Sequence, residues 1–378
     1  MNSSFKDLIE LFGAGALGYE YNINSPININ EIYQLATEQN IWSIVSLALT
    51  RSHFDGFKDD KLIMQIGRHI QKNEYVAKLV AEMNKSGIDT CILKGISVSR
   101  LYNEPDFRSS GDIDIFIQRK DIHKAAAFLR KKGFEVDDNI GEMHHFNATS
   151  KVAGLIEVHV DLIRSKINNV IFDGEIEVTE EFMKFRYGSY ELKTLGIDDG
   201  INFLTAHFVK HFLLGGVGLK HAMDMLIYMK AYANEIDWEK YKQKWIRLGY
   251  MKLINTVKAV GVEYWHMSFD DADFENTDAV LADMQNSGAF GKSDIRKDFL
   301  DAYINTKYGD DKNVIKYLNK LEKEKIFYKF FPDRKYMIQR GYLTGENKII
   351  TAYLRRLLDL FCDWITGKKK ITELTQYK

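Results

Sequence analysis

The feature that most constrains the fold is a change of hydrophobic period near residue 88. Residues 28–85 repeat apolar side chains at helical spacing, and that spacing returns after residue 196. Between these regions lie a predicted helix that ends at Gly133 and four stretches typical of strands. The strand-like stretches are 88–93, 112–118, 144–150 and 155–163. The pattern predicts an α+β protein in which helices enclose a small mixed sheet.

The same pattern divides the chain into three predicted regions. An N-terminal helical segment covers 1–74, a core that holds the sheet covers 75–195, and a C-terminal helical domain covers 196–378. Asn30 is predicted to cap the first helix of the 28–85 region. The stretch 263–283 holds seven acids and no Lys or Arg, so we expect a solvated loop or linker there.

Composition narrows the classes of function. The 52 Lys and Arg nearly balance the 53 Asp and Glu, so net charge gives no reason to expect a nucleic acid or membrane partner, and no DNA-binding motif is present. The two cysteines, Cys91 and Cys362, do not make a disulfide framework. No stretch of about 18 apolar residues occurs. We therefore expect a cytoplasmic protein without a signal peptide or a membrane span.

Two aspartates lie two positions apart in the second strand-like stretch. Alternate side chains of a strand share a face, so Asp112 and Asp114 are expected to point the same way. Ile113 and Ile115 then enter the core. Two carboxylates on one face repel each other unless a cation lies between them. Mg²⁺ prefers oxygen ligands and binds through one or two carboxylates plus substrate phosphates, so the pair predicts a magnesium site.

The stretch 155–163 supplies further acids. Glu157, His159 and Asp161 share one of its faces, and aliphatic side chains take the other. If this strand lies beside the one with the aspartate pair, either Glu157 or Asp161 provides a third carboxylate. Three carboxylates suit in-line phosphoryl chemistry with two metal ions. His159, between the two candidate acids, is a candidate to orient substrate or a carboxylate.

Residues that favour phosphate precede the aspartate pair. Lys94 and Gly95 end the first strand, and a helix is expected to begin near Ser97. Gly95 lets backbone amides approach an anion, and Ser97 can donate to a phosphate oxygen. Lys94 and Arg108 are predicted triphosphate contacts, Arg108 by a bidentate grip. With Gly111, these residues form the predicted nucleotide-binding set.

Further histidines are candidates for a substrate site. His207 and His211 are four residues apart on a predicted helix, so they coordinate zinc, line the site or pack between helix and sheet. No HExxH motif is present, so a metalloprotease is unsupported. His144 and His145 point to opposite faces of a strand, and at most one of them faces a cleft. The GGVG segment at 215–218 lacks the ending of a phosphate loop and is predicted to link two helices.

These motifs, in this order, resemble the nucleotidyltransferase superfamily with the polymerase-beta-like fold, whose signature is a Gly-Ser-type turn, Asp-x-Asp and a later third acid. The chain is more specifically similar to the uncharacterised nucleotidyltransferase family. The sequences of its members carry, in order, the motifs LKG, LY, P, R and DIDI, followed by a His-rich strand and a strand with the motif IE-x-H. The matching positions are Leu93-Lys94-Gly95, Leu101-Tyr102, Pro105, Arg108, Asp112 to Ile115, His144-His145 and Ile156 to His159. A looser likeness runs through His207, His211, Lys220-His221 and Asp224.

The resemblance implies a polymerase-beta-like core, metal binding by Asp112 and Asp114, and Glu157 as the third carboxylate. It also implies triphosphate contact near Gly95 and Ser97. The chain departs from the superfamily pattern because KGIS replaces the usual Gly-Ser pair and because the interval to the first aspartate is longer.

These features predict an enzyme that moves a nucleoside monophosphate from a nucleoside triphosphate (NTP) onto an acceptor hydroxyl and releases pyrophosphate, with two Mg²⁺ ions. The acceptor is a small molecule, a protein side chain or an RNA end. One alternative is a catalytically inactive module that holds nucleotide or a protein on the same fold. Another is a metal-dependent phosphohydrolase that uses the same acids with His207 and His211.

Overall fold

The strand-like stretches in the middle of the chain join into one mixed sheet. A computed structural model describes residues 2–22, 26–54, 59–137, 140, 145–179 and 181–289, all within the first of two compact units, Met1–Leu300. The strands are β1 (Thr90–Ile92), β2 (Ile113–Ile117), β3 (Glu135–Val136), β4 (His145–Ser150) and β5 (Gly154–His159). Their order is β1-β2-β5-β4-β3, and only β2 and β5 among these neighbours are parallel. The predicted small mixed sheet is confirmed.

Two helices cover one face of this sheet. They are α4 (Asp60–Lys85) and α6 (Ile122–Lys131). Ile113 and Ile115 of β2 belong to the same fully buried cluster as Val80 of α4 and Leu129 of α6. Burial of such side chains stabilises the fold by about 1.5–3 kcal/mol each. Since side chains alternate along a strand, Asp114 lies on the face of β2 opposite its isoleucines.

The N-terminal helices precede this core. They are α1 (Ser3–Leu17), α2 (Ile29–Glu38) and α3 (Trp42–Arg51). The indole of Trp265 donates to the Ile9 carbonyl at 3.0 Å. A Cβ on Gly15 would come within 2.2 Å of the Ile44 carbonyl oxygen, so only glycine permits this close approach of α1 to α3.

Three further elements precede the C-terminal helices in the chain. The helices are α5 (Ile96–Ser99) and α7 (Ser165–Phe172), and the third element is a hairpin of β6 (Phe182–Tyr187) and β7 (Tyr190–Leu195). The hairpin was not predicted, although its residues alternate, with Leu192 fully buried and its neighbours more exposed. Gly188 in the turn has a φ of 54°, a conformation that glycine adopts without strain.

Helices dominate the rest of the described chain, as predicted. They are α8 (Ile197–Leu214), α9 (Leu219–Ala231), α10 (Trp238–Arg247), α11 (Met251–Trp265) and α12 (Thr277–Ser287). The predicted GGVG turn links α8 to α9 and is confirmed. Helices predicted beyond residue 289 lie outside the described residues, as does His144. None of the helices described is both long enough and apolar enough to cross a membrane.

Three local predictions are wrong in detail. Asn28, and not Asn30, caps α2, because its side chain accepts from the Glu31 amide. The strand predicted over 155–163 ends at His159, and the predicted loop over 263–283 becomes helical at Thr277.

The predicted region boundaries stay a proposal. The first of them falls within α4.

Candidate active site

The parallel pairing of β2 with β5 places two predicted acids side by side. Asp114 is the register partner of Glu157, and Phe116 is the partner of His159. One ligand atom from each of Asp114, Glu157 and His159 lies within 4.8 Å of the other two. We call these three residues the acid group. Carboxylate oxygens and an imidazole nitrogen at this spacing can share one metal ion.

Asp114 is the most enclosed member of the acid group. It is 3% exposed, and its two oxygens meet the Lys94 ammonium and the His159 Nε2, each at 2.9 Å. Burial disfavours its charged form, but the Lys94 charge and the His159 hydrogen bond outweigh burial and lower the pKa of Asp114. Asp114 therefore stays ionised at neutral pH. The predicted phosphate contact Lys94 is, in this structure, the ion-pair partner of a predicted metal ligand.

His159 bridges the two carboxylates of the acid group. Its Nε2 lies 3.4 Å from a Glu157 oxygen, and its ring stacks on that of His145 at 5.3 Å. Burial opposes charge on His159, but hydrogen bonds to Asp114 and Glu157 outweigh burial and raise its pKa. The hydrogen bond from His159 likewise lowers the pKa of Glu157. The imidazole thus offsets part of the carboxylate repulsion.

Asp112 lies at the mouth of the site, one residue before β2. It is half-buried, and its carboxylate makes no hydrogen bond or ion pair with a described residue. Lys72 of α4 fixes the preceding turn, because its ammonium donates to the Gly111 carbonyl at 2.8 Å and to the Ser110 carbonyl at 3.3 Å. Asp112 is not part of the acid group. Burial disfavours the charged form of Lys94, but the charges of Asp114 and then Asp112 outweigh burial and raise the pKa of Lys94. The Asp112 oxygens are available to a ligand.

The glycines and the serine that were predicted to contact phosphate differ in their exposure to solvent. Gly95 has a φ of 72°, a value that L side chains rarely adopt, and it precedes the four-residue helix α5. Ser97 is 3% exposed, and its hydroxyl has no hydrogen-bond partner among the described residues. Gly111 is exposed, with open space where a side chain would lie. Gly111 is therefore accessible from solvent, whereas the Ser97 hydroxyl is buried.

Arg108 makes a bidentate grip on a protein carboxylate. Its Nε donates to Asp224 of α9 at 2.7 Å, and a second guanidinium nitrogen pairs with the other Asp224 oxygen. The Tyr102 hydroxyl donates to the same carboxylate at 2.7 Å. All three side chains are buried. In this structure the Arg108 guanidinium binds the Asp224 carboxylate with the bidentate geometry that was predicted for phosphate. Contact of Arg108 with a triphosphate stays a prediction.

Asp161 follows β5 and lies apart from the acid group. Its carboxylate pairs with Arg119 at 2.6 Å and is one-third exposed. Between the two alternatives for a third carboxylate, the register of β5 therefore favours Glu157.

The helical half brings the predicted candidates His207 and His211 together with two further residues. His207 Nε2 lies 2.9 Å from the Lys94 ammonium and 3.2 Å from His211 Nε2. His221, from the first turn of α9, completes a group whose ring nitrogens lie within 4.8 Å of one another. Lys210 was missed, although its spacing of three residues from His207 indicates a shared face of α8.

Comparison with known proteins identifies the family. Residues 25–256 match the model of a family described as "Uncharacterised nucleotidyltransferase". The chain belongs to this family. The resemblance predicted from the motifs is thereby confirmed, and the family indicates nucleotidyl transfer.

Other comparisons add little to this assignment. A solved structure that matches is an antigenic nucleotidyltransferase-like protein from Paracoccidioides brasiliensis, 16% identical, with 43% of this chain and 76% of that chain covered and a TM-score of 0.29. No curated protein matches the chain. The family match spans β1 to β5 and helices α8 to α10, so it includes both the acid group and the histidines of the helical half.

Proposed function

We propose that this member of the nucleotidyltransferase family is a Mg²⁺-dependent enzyme. It transfers a nucleoside monophosphate from an NTP to an acceptor hydroxyl and releases pyrophosphate. The observation that carries the proposal is the parallel register that sets Glu157 beside Asp114, with Asp112 one position before the same strand. The acceptor is a small molecule, a protein side chain or an RNA end.

The donor set fits magnesium. An ionised carboxylate offers about four lone-pair positions, so Asp114 keeps free positions beside Lys94 and His159. Asp112 is uncommitted, and Glu157 is partly exposed. All three ligands are oxygens, which Mg²⁺ prefers over nitrogen. When bound, the ions would neutralise charge on the phosphates and lower the pKa of the attacking hydroxyl.

The protein side chains have roles that do not depend on the ions. Lys94 and His159 fix the orientation of the Asp114 carboxylate from both sides. Lys72 holds the turn that presents Asp112, and the hydrogen bond from His159 holds Glu157 ionised. Such preorganised charges are effective because they need no rearrangement during the reaction.

One observation favours the alternative of an inactive module. The Lys94 ammonium lies 2.9 Å from Asp114, so one of the two carboxylates of the acid group is paired with a cation without a metal ion. A protein that only holds nucleotide would bind the triphosphate through its cations and would turn nothing over. Release of pyrophosphate separates the two functions.

Thermal unfolding with ATP, GTP, CTP and UTP, with and without Mg²⁺, tests the proposed function. A ligand that binds only the native state at 100 times its Kd stabilises it by about 2.7 kcal/mol. We expect at least one NTP to raise the unfolding midpoint, and to raise it more with Mg²⁺ than with EDTA. The matched nucleoside is the control. Equal midpoints for every NTP with Mg²⁺ and with EDTA would contradict the proposal.

A further inference from the structure

A cluster of opposite charge lies beside the acid group. It consists of three lysines and three histidines, and we call it the basic cluster: Lys94, Lys210, Lys220, His207, His211 and His221. Lys94 joins the two groups, because its ammonium lies 2.9 Å from Asp114 and 2.9 Å from His207. The imidazole rings of His221 and His211 are 5.2 Å apart.

Two lysines of this cluster, Lys210 and Lys220, form no ion pair with a described residue. The Lys210 ammonium makes no hydrogen bond or ion pair with a described residue, and among these residues the Lys220 ammonium donates only to the Ser109 carbonyl, at 3.3 Å. Burial, then the charge of Lys94, lowers the pKa of Lys210 to about 8. Burial, then the charge of Arg108, lowers the pKa of Lys220 to about 8. An anion placed among these groups would relieve their repulsion.

The three histidines alone would suit a transition metal. Their ring nitrogens lie within 4.8 Å of one another, and Zn²⁺ binds histidine nitrogens. However, the Lys94 ammonium already lies against His207 Nε2, the nitrogen that approaches His211. A divalent cation would meet the positive charge of Lys94 and of two further lysines. Electrostatics therefore favours an anion over a metal at this cluster.

We propose that the basic cluster binds the polyphosphate tail of the nucleotide, so that helices α8 and α9 supply the phosphate grip. The alternative site, the turn at Gly95 to Ser97, has a buried hydroxyl and leads into a helix of only four residues. Lys94 belongs to the cluster and pairs with Asp114, so a bound tail would lie next to the acid group. The identification of the polyphosphate as part of a nucleotide rests on the proposed function.

Calorimetric titration of the full chain with inorganic tripolyphosphate in EDTA tests this inference. Wild type is expected to bind, and Lys210→Gln to bind about tenfold more weakly, which corresponds to the loss of one charge-assisted contact. Lys230→Gln is the matched control, since Lys230 is exposed in the last turn of the neighbouring helix α9. It is expected to bind as wild type does. An NTP should displace the tripolyphosphate, whereas the nucleoside should not.

A second measurement separates binding from folding. Lys210→Gln removes one of several repelling charges, so the unfolding midpoint of the ligand-free variant should be equal to or higher than that of wild type. Weaker tripolyphosphate binding by a variant that is no less stable than wild type supports the inference. No binding by wild type, equal binding by Lys210→Gln, or stabilisation by Zn²⁺ in place of tripolyphosphate would overturn it. Failure of the NTP to compete would overturn the assignment of the basic cluster to a nucleotide tail. Tripolyphosphate binding without any Mg²⁺-dependent effect of NTPs would instead reject the proposed function alone.

Discussion

Asp112→Asn is expected to lower Mg²⁺-dependent pyrophosphate release about a thousandfold, because the metal ions lose a charged ligand that contributes several kcal/mol to the transition state. The substitution keeps the shape of the side chain. The Asp112 carboxylate makes no hydrogen bond or ion pair with a described residue, so the unfolding midpoint should stay close to that of wild type. Pyrophosphate released from each NTP, with a panel of small-molecule, protein and RNA acceptors, is the measurement.

Two further variants make this experiment specific. Glu157→Gln should lose activity as Asp112→Asn does, since Glu157 lies beside Asp114 in the register. Asp161→Asn should remain active, because Asp161 pairs with Arg119 outside the acid group. Full activity in Asp112→Asn, or loss of activity in Asp161→Asn with retention in Glu157→Gln, would refute the assignment of the carboxylates.

Asp224→Ala is expected to destabilise the protein by about 3–5 kcal/mol, the usual cost of leaving one partner of a buried ion pair uncompensated. The side chains of Arg108 and Asp224 are only 4% and 7% exposed. The loss would strand the guanidinium of Arg108 and remove the acceptor of the Tyr102 hydroxyl. Urea unfolding of the full chain, compared with wild type, measures the change in the free energy of unfolding.

A matched surface pair provides the control for this prediction. Lys184 and Glu191 pair at 2.9 Å across the β6–β7 hairpin, with side chains 64% and 60% exposed. Glu191→Ala should leave the free energy of unfolding close to that of wild type, because water screens exposed pairs. Equal effects of Asp224→Ala and Glu191→Ala would show that the buried pair does not hold α9 to the loop that carries Arg108.

The local patterns of the sequence predicted four of the five strands of the sheet, all but β3, and the candidate acids on two of them. Alternation in DIDIF and LIEVH predicts the strands because a half-buried strand needs apolar side chains on one face only. Helix α1 was not predicted as a separate helix, because Gly13 and Gly15 lower helix propensity. In the structure these glycines allow close packing, and that requirement comes from residues distant in sequence, Trp265 and Ile44.

The partners of the site residues could not be derived from local patterns. Lys94 meets Asp114 twenty positions later and His207 more than a hundred positions later, and no periodicity encodes such contacts. Arg108 was predicted from its chemistry to grip an anion, and the structure supplies Asp224 as that anion. Sequence gives the type of chemistry a side chain prefers, whereas tertiary packing decides which partner satisfies it.

The most direct measurement of the central claim is a crystal structure of the full chain with a non-hydrolysable NTP analogue and Mn²⁺, recorded for anomalous scattering. We expect metal peaks within about 2.0–2.2 Å of carboxylate oxygens of Asp112, Asp114 and Glu157, with the triphosphate alongside. Nucleotide bound with no metal peak at these carboxylates, or metal peaks only among the histidines of α8 and α9, would contradict the account.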